Sequence, residues 1–245
     1  MKIIISPAKK MNIDTDSLNY ISLPKFLNKT QIILDVLKDK SYSDLKNIWK
    51  CNDDIAILNY SRLENMNLSQ NLTPAILSYE GIQYKYMAAS VFDKNQFNYI
   101  NKHLRILSGF YGVLTPFCGV SPYRLEMQAK LSINEYKNLY EFWKEDLIKE
   151  FKDEDFIINL ASKEYSKAVL PHINARVINC TFAEIINEKP VEKGTMCKMA
   201  RGEMVRFLAK NNTISPNDIK NFNKLNYKYD AKLSTSDNYV FIKHT

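Results

Sequence analysis

The chain is poor in the residues on which metal sites and many catalytic motifs depend. Its 245 residues include 4 cysteines, 3 histidines and 6 glycines. The cysteines and histidines are widely separated, without C-x-x-C or another metal-ligand spacing, so we expect no bound metal and no cofactor. No G-x-S-x-G motif, P-loop or dinucleotide fingerprint occurs either. The sequence therefore gives no support to a metalloenzyme, a nucleophile-elbow hydrolase or a P-loop nucleotidase.

Long apolar runs are also absent. No stretch approaches the roughly 18 consecutive apolar residues of a membrane helix, so we expect no membrane partner. The apolar run near the first residue is three isoleucines long, at residues 3–5, which does not have the pattern of a secretory signal. We therefore expect a cytoplasmic location, which argues against disulfide bonds.

Positive charge is in excess, because 34 Lys and Arg residues face 27 Asp and Glu residues for a net charge of +7. This balance favours a polyanionic partner. Only 6 of the 34 are arginine, and abundant Lys, Asn and Ile are typical of an AT-rich genome, so the arginines are the more informative cations. Arg105, Arg124, Arg201 and Arg206 lie in the most motif-like segments. Arginine can bind phosphate with a planar two-pronged fork, unlike lysine.

Apolar periodicity predicts the order of the main elements. We expect a buried strand at Lys2–Ile5, a series of helices up to Leu139–Phe151, strands at Phe156–Leu160 and 176–182, and a helix at 196–210. This order favours a single α+β domain over residues 1–245. A loose division near residue 155 is the alternative.

The most distinctive segment is LRILSGFYGVL at residues 104–114. A predicted helix over 94–104 leads into a tight turn that contains Gly109 and Gly112. Glycines at this spacing let backbone N–H groups face outward, where they can hold an anion. In a basic protein the segment predicts contact with a phosphate.

The predicted helix over 196–210 has an apolar arc and an opposite arc with Lys198, Arg201, Gly202 and Arg206. A glycine inside a helix costs about 1 kcal/mol relative to alanine, so a close approach by another backbone or by a ligand would explain Gly202. The polar arc is either a solvated basic face or a surface that meets phosphate.

Two loops follow predicted buried strands and carry polar side chains. The first holds Ser6 with Lys9 and Lys10, and the second holds Ser162, Tyr165 and Lys167. If the loops meet, serine, tyrosine and lysine side chains could perform acid–base chemistry. We treat Ser6, Ser162, Tyr165 and Lys167 as the catalytic candidates. The alternative is a capped helix after Ser162 and surface lysines in the first loop.

Several strings resemble the YaaA family of bacterial peroxide stress proteins. They are ISPAK at 5–9, LRILSGFYGVL at 104–114, PYRLEM at 122–127, NLYEFW at 138–143, INLAS at 158–162 and KMARG at 198–202. The resemblance implies a single-domain α+β fold peculiar to the family, likened to a cantaloupe slice, with a basic cleft. It also implies a helix-hairpin-helix element that binds duplex DNA, and a role in surviving hydrogen peroxide by limiting free iron and oxidative DNA damage. We place the helix-hairpin-helix at residues 107–112, where the turn has one extra residue.

The chain departs from the family pattern within residues 80–82, 115–118, 143–144 and 196–199. Family charges are lost at four of these positions, now Glu80, Ile82, Thr115 and Cys118. These departures leave two alternatives, weaker DNA binding or altered chemistry.

The leading functional hypothesis is therefore a DNA-binding protein of the oxidative stress response. It assigns phosphate contacts to Lys9, Lys10, Arg105, Arg124, Lys198, Arg201 and Arg206, with backbone N–H groups from Gly109 and Gly112. Its partner is double-stranded or structured DNA. The alternative is an enzyme that acts on a phosphate-bearing or nucleotide small molecule in the same cleft. Because no metal-ligand cluster is visible, any effect on iron would be indirect.

Overall fold

The computed structural model describes residues 1–244. The strands are β1 (Lys2–Ile5), β2 (Lys10–Met11), β3 (Thr73–Pro74), β4 (Tyr79–Glu80), β5 (Leu104–Ser108), β6 (Gly112–Leu114), β7 (Gly119–Val120), β8 (Phe156–Leu160), β9 (Arg176–Ile186), β10 (Lys189–Val191), β11 (Tyr227–Tyr229) and β12 (Asn238–Lys243). The α-helices are α1 (Leu27–Lys38), α2 (Tyr42–Trp49), α3 (Asp53–Glu64), α4 (Ala75–Ser78), α5 (Ile82–Met87), α6 (Lys94–His103), α7 (Leu139–Phe151), α8 (Lys163–Ser166), α9 (Gly194–Lys210) and α10 (Pro216–Ile219). No helix within residues 1–244 combines the length and apolar character needed to cross a membrane.

A mixed eight-stranded sheet runs through the centre in the order β11-β12-β9-β8-β1-β5-β6, with β10 paired to β9. Its five central strands are mutually parallel, and β6, β10 and β11 pair antiparallel at the margins. The architecture is therefore single-domain α/β, and the expectation of an α+β arrangement is corrected. Helical connections, such as α6 before β5 and α7 before β8, return the chain to the same end of the sheet. Strands joined in this way run parallel.

Strand β1 occupies the middle of this sheet and joins the two halves of the chain. It pairs with β5 on one side and β8 on the other, and Ile3, Ile4 and Ile5 are fully buried. A short run of β-branched apolar residues is typical of a parallel strand covered on both faces. The parts of the chain before and after residue 155 therefore contribute strands to one sheet, and the alternative division near residue 155 does not separate that sheet.

The chain moves outward from β1 and β8 in opposite directions, to β5 on one side and to β9 on the other. The carboxyl ends of β1 and β8 are adjacent, because Ile5 is in register with Leu160. Such a reversal of strand order is a topological switch point, where the loops diverge and leave a crevice.

The two-glycine turn is a β-hairpin in the core, and the expected helix-hairpin-helix is not found there. Helix α6 ends at His103, and the turn joins the antiparallel strands β5 and β6. The Ser108 hydroxyl accepts hydrogen bonds from the N–H groups of Phe110 and Tyr111, at 3.2 and 2.9 Å. The indole of Trp143 donates to the Gly109 carbonyl at 2.9 Å. These buried polar groups are satisfied within the fold and do not face a ligand.

Gly202 is explained by another backbone. A β-carbon at this position would overlap the carbonyl oxygen of Gln83 and lie 2.9 Å from the nitrogen of Met87, so α9 packs directly on α5. Gly202 therefore sits in a helix contact and not on a solvated arc. This contact holds the first half of α9 beside the crevice at the switch point.

Candidate functional site

A cleft of about 560 Å³ opens at the carboxyl ends of β1 and β8. Its wall consists of residues 6–10, 80–84, 123–126, 162, 164, 165, 198 and 201. These segments come from the loops after β1 and β8, from β4 and α5, from the segment after β7, and from α9. Long-range folding thus brings together five parts of the sequence, and we refer to this site as the cleft.

The base of the cleft is a pair of serines. The backbone N–H of Ser162 donates to the hydroxyl of Ser6 at 2.8 Å, and that hydroxyl donates to the hydroxyl of Ser162 at 3.2 Å. Ser162 occupies the N-cap position of α8, but its side chain makes no capping hydrogen bond. The two serines instead connect the ends of β1 and β8 and present polar groups at the switch point.

Five cationic side chains line the cleft, and three of them are paired with carboxylates. Lys9 contacts Glu126 at 2.6 Å, and Lys10 contacts Glu80 at 2.7 Å. Arg124 lies 3.8 Å from Glu126 and also donates to the Trp49 carbonyl at 3.4 Å.

Lys198 and Arg201 differ from these three, because they form no ion pair with any residue in the described part of the chain. The Nε atom of Arg201 is also buried and has no hydrogen-bond partner within residues 1–244. A buried donor without a partner carries a desolvation cost, which an anionic ligand would remove.

The acidic side chains of the cleft differ in their surroundings. Burial raises the pKa of Glu164, with the neighbouring charge of Glu126 adding to the effect, although Glu164 accepts a hydrogen bond from the backbone of Gln128 at 3.2 Å. The hydrogen bond from Lys10 lowers the pKa of Glu80. Glu164 therefore takes up a proton more readily than Glu80.

Three tyrosines supply much of the apolar wall. The hydroxyl of Tyr84 donates to the Ser6 carbonyl at 2.9 Å, and the hydroxyl of Tyr123 is within 2.8 Å of Tyr79 and 2.6 Å of Ser108. Burial raises the pKa of Tyr123 to about 12 and raises the pKa of Tyr165 further. These phenols stay protonated at neutral pH, so they do not serve as general bases.

The structure brings most of the predicted site residues to this one place. Those that line the cleft are Ser6, Lys9, Lys10, Arg124, Ser162, Tyr165, Lys198 and Arg201. The meeting of the two serine loops, which the sequence left open, is thus observed. None of the three histidines lines the cleft in the part of the chain that the structure describes, so Ser6 has no imidazole base.

The remaining predicted residues lie elsewhere. Gly109 and Gly112 are in the buried hairpin, and Lys167 lies over the ring of Tyr140 at 4.3 Å. Arg206 is on α9 but lines a separate groove with Lys210. The charge pattern predicted that Lys198, Arg201 and Arg206 share one arc of the helix. The packing of α9 on α5 instead separates the half of α9 that carries Lys198 and Arg201 from the half that carries Arg206.

Arg105 also lies away from the cleft. Its guanidinium donates to Glu150 at 2.9 Å and to the Leu104 carbonyl at 2.9 Å, near the start of β5. The side chain is mostly buried, and its Nε and Nη1 atoms donate within the fold. Arg105 therefore ties β5 to α7 and does not contribute to the site at the carboxyl ends of the strands.

Sequence reasoning missed the acidic and aromatic part of the site. Glu126, Glu164, Tyr84 and Tyr123 line the cleft and were not assigned to it. Three of them could have been found from position alone, because Tyr123 and Glu126 flank Arg124 in PYRLEM and Glu164 lies two residues after Ser162. Of the four positions where a family charge is lost, Glu80 and Ile82 line the cleft. Thr115 and Cys118 instead lie together elsewhere, with Oγ1 and Sγ 3.0 Å apart.

The topology and the cleft define a class of protein: a single-domain α/β protein with a switch-point cleft lined by five cations and three carboxylates. Residues 1–233 match the family model described as peroxide stress protein YaaA. The chain belongs to this family, which confirms the resemblance that its motifs indicated.

Two relatives extend this result over nearly the full chain. The chain is 54% identical to the UPF0246 protein of Agathobacter rectalis over 244 residues, which cover 98% of each sequence. It is 53% identical to the UPF0246 protein of Pediococcus pentosaceus over 247 residues, which cover 100% of this chain and 98% of the relative.

Proposed function

We propose that this protein acts in the peroxide stress response by binding DNA through phosphate contacts at the cleft, and thereby limits iron-dependent oxidative damage to DNA. The contacts come from Lys9, Lys10, Arg124, Lys198 and Arg201. The observation that carries the proposal is the pair on α9, whose charges are not neutralised by any described side chain. A phosphate would supply the missing partner for both.

The arrangement of the cations supports this proposal. Lys198 and Arg201 are three residues apart on a helix, so they share a face. Lys9 and Lys10 are exposed. The phosphates of a DNA backbone that crosses the opening could replace the carboxylates that now pair with these lysines. Contacts of this kind position a protein on DNA without reading its sequence.

Fluorescence anisotropy with labelled duplex, bubble and single-stranded DNA across a salt series tests the proposal. We expect the double variant Lys198→Ala/Arg201→Ala to weaken binding and to lower the salt slope by about 1, because both side chains are assigned to one phosphate and each lost phosphate contact removes about 0.9. The matched control is Lys228→Ala/Lys232→Ala, which removes the same charge from exposed positions away from the cleft. Equal losses in the two double variants would mean that only net charge matters and would contradict the assignment.

A second candidate is an enzyme that acts on a phosphate-bearing small molecule. It is favoured by the position of Glu164, a carboxylic acid with a raised pKa, beside the serine pair at the base of the cleft. A raised carboxyl pKa suits proton transfer near neutral pH. Strong thermal stabilisation by a phosphate ester, together with no DNA binding at low salt, would favour this candidate over the first.

A further inference from the structure

We infer that the cleft binds one whole nucleotide unit, with its phosphate at Lys198 and Arg201 and its base against the tyrosine wall. This inference rests on the proposed function only in taking phosphate as the anion. It adds the chemical class of the ligand, which the cation positions alone do not define.

The size of the cleft excludes a duplex and admits a nucleotide. A volume of about 560 Å³ lies within the range of roughly 300–1,000 Å³ that is usual for small-molecule sites. The major groove of duplex DNA is by itself about 12 Å wide, so a duplex can cross the opening but not enter. A single nucleotide can enter, either free or turned out of a strand.

The wall of the cleft supplies a surface for a flat ring. Tyr84 and Tyr123 are only 8% and 7% exposed and use their hydroxyls within the protein, so what they offer to the cleft is a small area of ring. The Tyr123 ring is stacked on Phe110 with 5.0 Å between the centroids, so at most its other face is open to a base. Leu125 and Tyr165 extend the same wall. Bases stack on aromatic side chains in proteins that bind single-stranded nucleic acid. Inorganic phosphate has no apolar or aromatic part that such a wall could contact.

The carboxylates require a ligand that also carries hydrogen-bond donors. Glu126 and Glu164 both line the cleft, and Glu164 forms no ion pair among the described residues. A carboxylate repels phosphate but accepts hydrogen bonds from ribose hydroxyls and from base N–H groups. Acidic side chains hold the ribose hydroxyls of dinucleotides at switch points of other α/β proteins in this way.

The cationic end provides the phosphate subsite. Lys198 and Arg201 stand on one face of α9, and the Nε atom of Arg201 is buried without a partner within residues 1–244. An aromatic wall, the Glu164 carboxylate and two unpaired cations in one small cleft match the three parts of a nucleotide.

Isothermal titration calorimetry of the purified full chain with 5′-mononucleotides, ribose 5-phosphate and inorganic phosphate tests this inference. At constant ionic strength, we expect at least one mononucleotide to bind about 10-fold more tightly than ribose 5-phosphate or phosphate. Lys198→Ala/Arg201→Ala should weaken that binding about 10-fold or more, whereas Lys228→Ala/Lys232→Ala should leave it unchanged. A second variant, Ala8→Leu, places a larger side chain at the wall of the cleft without a change of charge. By reducing the space for the ligand, it should also weaken nucleotide binding.

The outcomes separate this inference from the proposed function. Equal affinity for phosphate and nucleotides, or no binding of either, overturns the inference, and DNA binding measured in parallel then decides whether the proposed function stands. Nucleotide binding without DNA binding supports the inference and overturns the DNA role. If both bind, a mononucleotide should displace labelled DNA that carries one unpaired nucleotide. If it does not, the ligand whose affinity survives Lys198→Ala/Arg201→Ala is bound outside the cleft: survival of nucleotide binding overturns the inference, and survival of DNA binding overturns the proposed function.

Discussion

Substitution of Gly202 by alanine should weaken the contact between α9 and α5. The added β-carbon would overlap the carbonyl oxygen of Gln83 and lie 2.9 Å from the nitrogen of Met87. Both are backbone atoms, so no side-chain rotation can relieve the overlap and the helices must separate. Overpacking of this kind costs about 1–3 kcal/mol. Alanine recovers about 1 kcal/mol in helix propensity.

The net expectation is a loss of about 2 kcal/mol in the free energy of unfolding, taking the upper end of that range because the overlap is with backbone. For a chain of this size each kcal/mol lowers Tm by about 2–4 °C, so Tm should fall by about 4–8 °C. Thermal and urea unfolding of the purified variant measure both quantities.

Gly194→Ala is the matched control, since it lies in the same helix and its β-carbon would meet nothing within 4 Å. It should leave stability unchanged or raise it. If Gly202→Ala is as stable as the native protein, the close packing of α9 on α5 is refuted, and with it the reason given for the position of Lys198 and Arg201.

Further substitutions test the core, the cleft and the ion pair between Arg105 and Glu150. Trp143→Phe should cost about 1–3 kcal/mol beyond its lost volume, because the buried carbonyl of Gly109 loses its donor. Trp49→Phe is its control in unfolding experiments, since that indole nitrogen has no partner in the described chain. Glu164→Gln should raise Tm at pH 7 but not at pH 4, because a carboxyl whose pKa is raised by burial destabilises the fold as pH rises above the ordinary value of about 4.3. Glu150→Gln should instead lower Tm at pH 7 but not in acid. Burial alone would raise its pKa, but hydrogen bonds to two cations lower it, so its stabilisation is present at pH 7 and lost in acid. Scans of Tm against pH that give the same sign for both variants would contradict this assignment.

The local elements could be predicted because their signals are local. The three isoleucines of β1 form a buried strand. Asp93 caps α6, because its carboxylate accepts from the Gln96 N–H and its own N–H donates to the Gln96 side chain. The apolar spacing of Leu139–Phe151 gives a helix with the predicted bounds. In each case side chains within a few residues of one another decide the conformation.

The two-glycine turn was assigned to the wrong kind of element for an equally physical reason. Gly109 and Gly112 indicate a tight turn, and a tight turn is present. Whether helices or strands flank such a turn depends on pairing partners far away in sequence. Here β5 pairs with β1, about a hundred residues earlier. Turn N–H groups of the kind expected to hold an anion, those of Phe110 and Tyr111, donate instead to the Ser108 hydroxyl.

The sequence by itself determined the family, the excess of positive charge, most of the elements and the two serine loops, since each rests on a string of neighbouring residues. Only the tertiary structure decided that the sheet is parallel at its centre and which cations share a cleft. It also decided which cations are already used: Arg105 is bound to Glu150, whereas Lys198 and Arg201 have no described partner. Charge is a property of a residue, but its availability depends on the groups that the fold places within about 4 Å, which the order of residues does not specify.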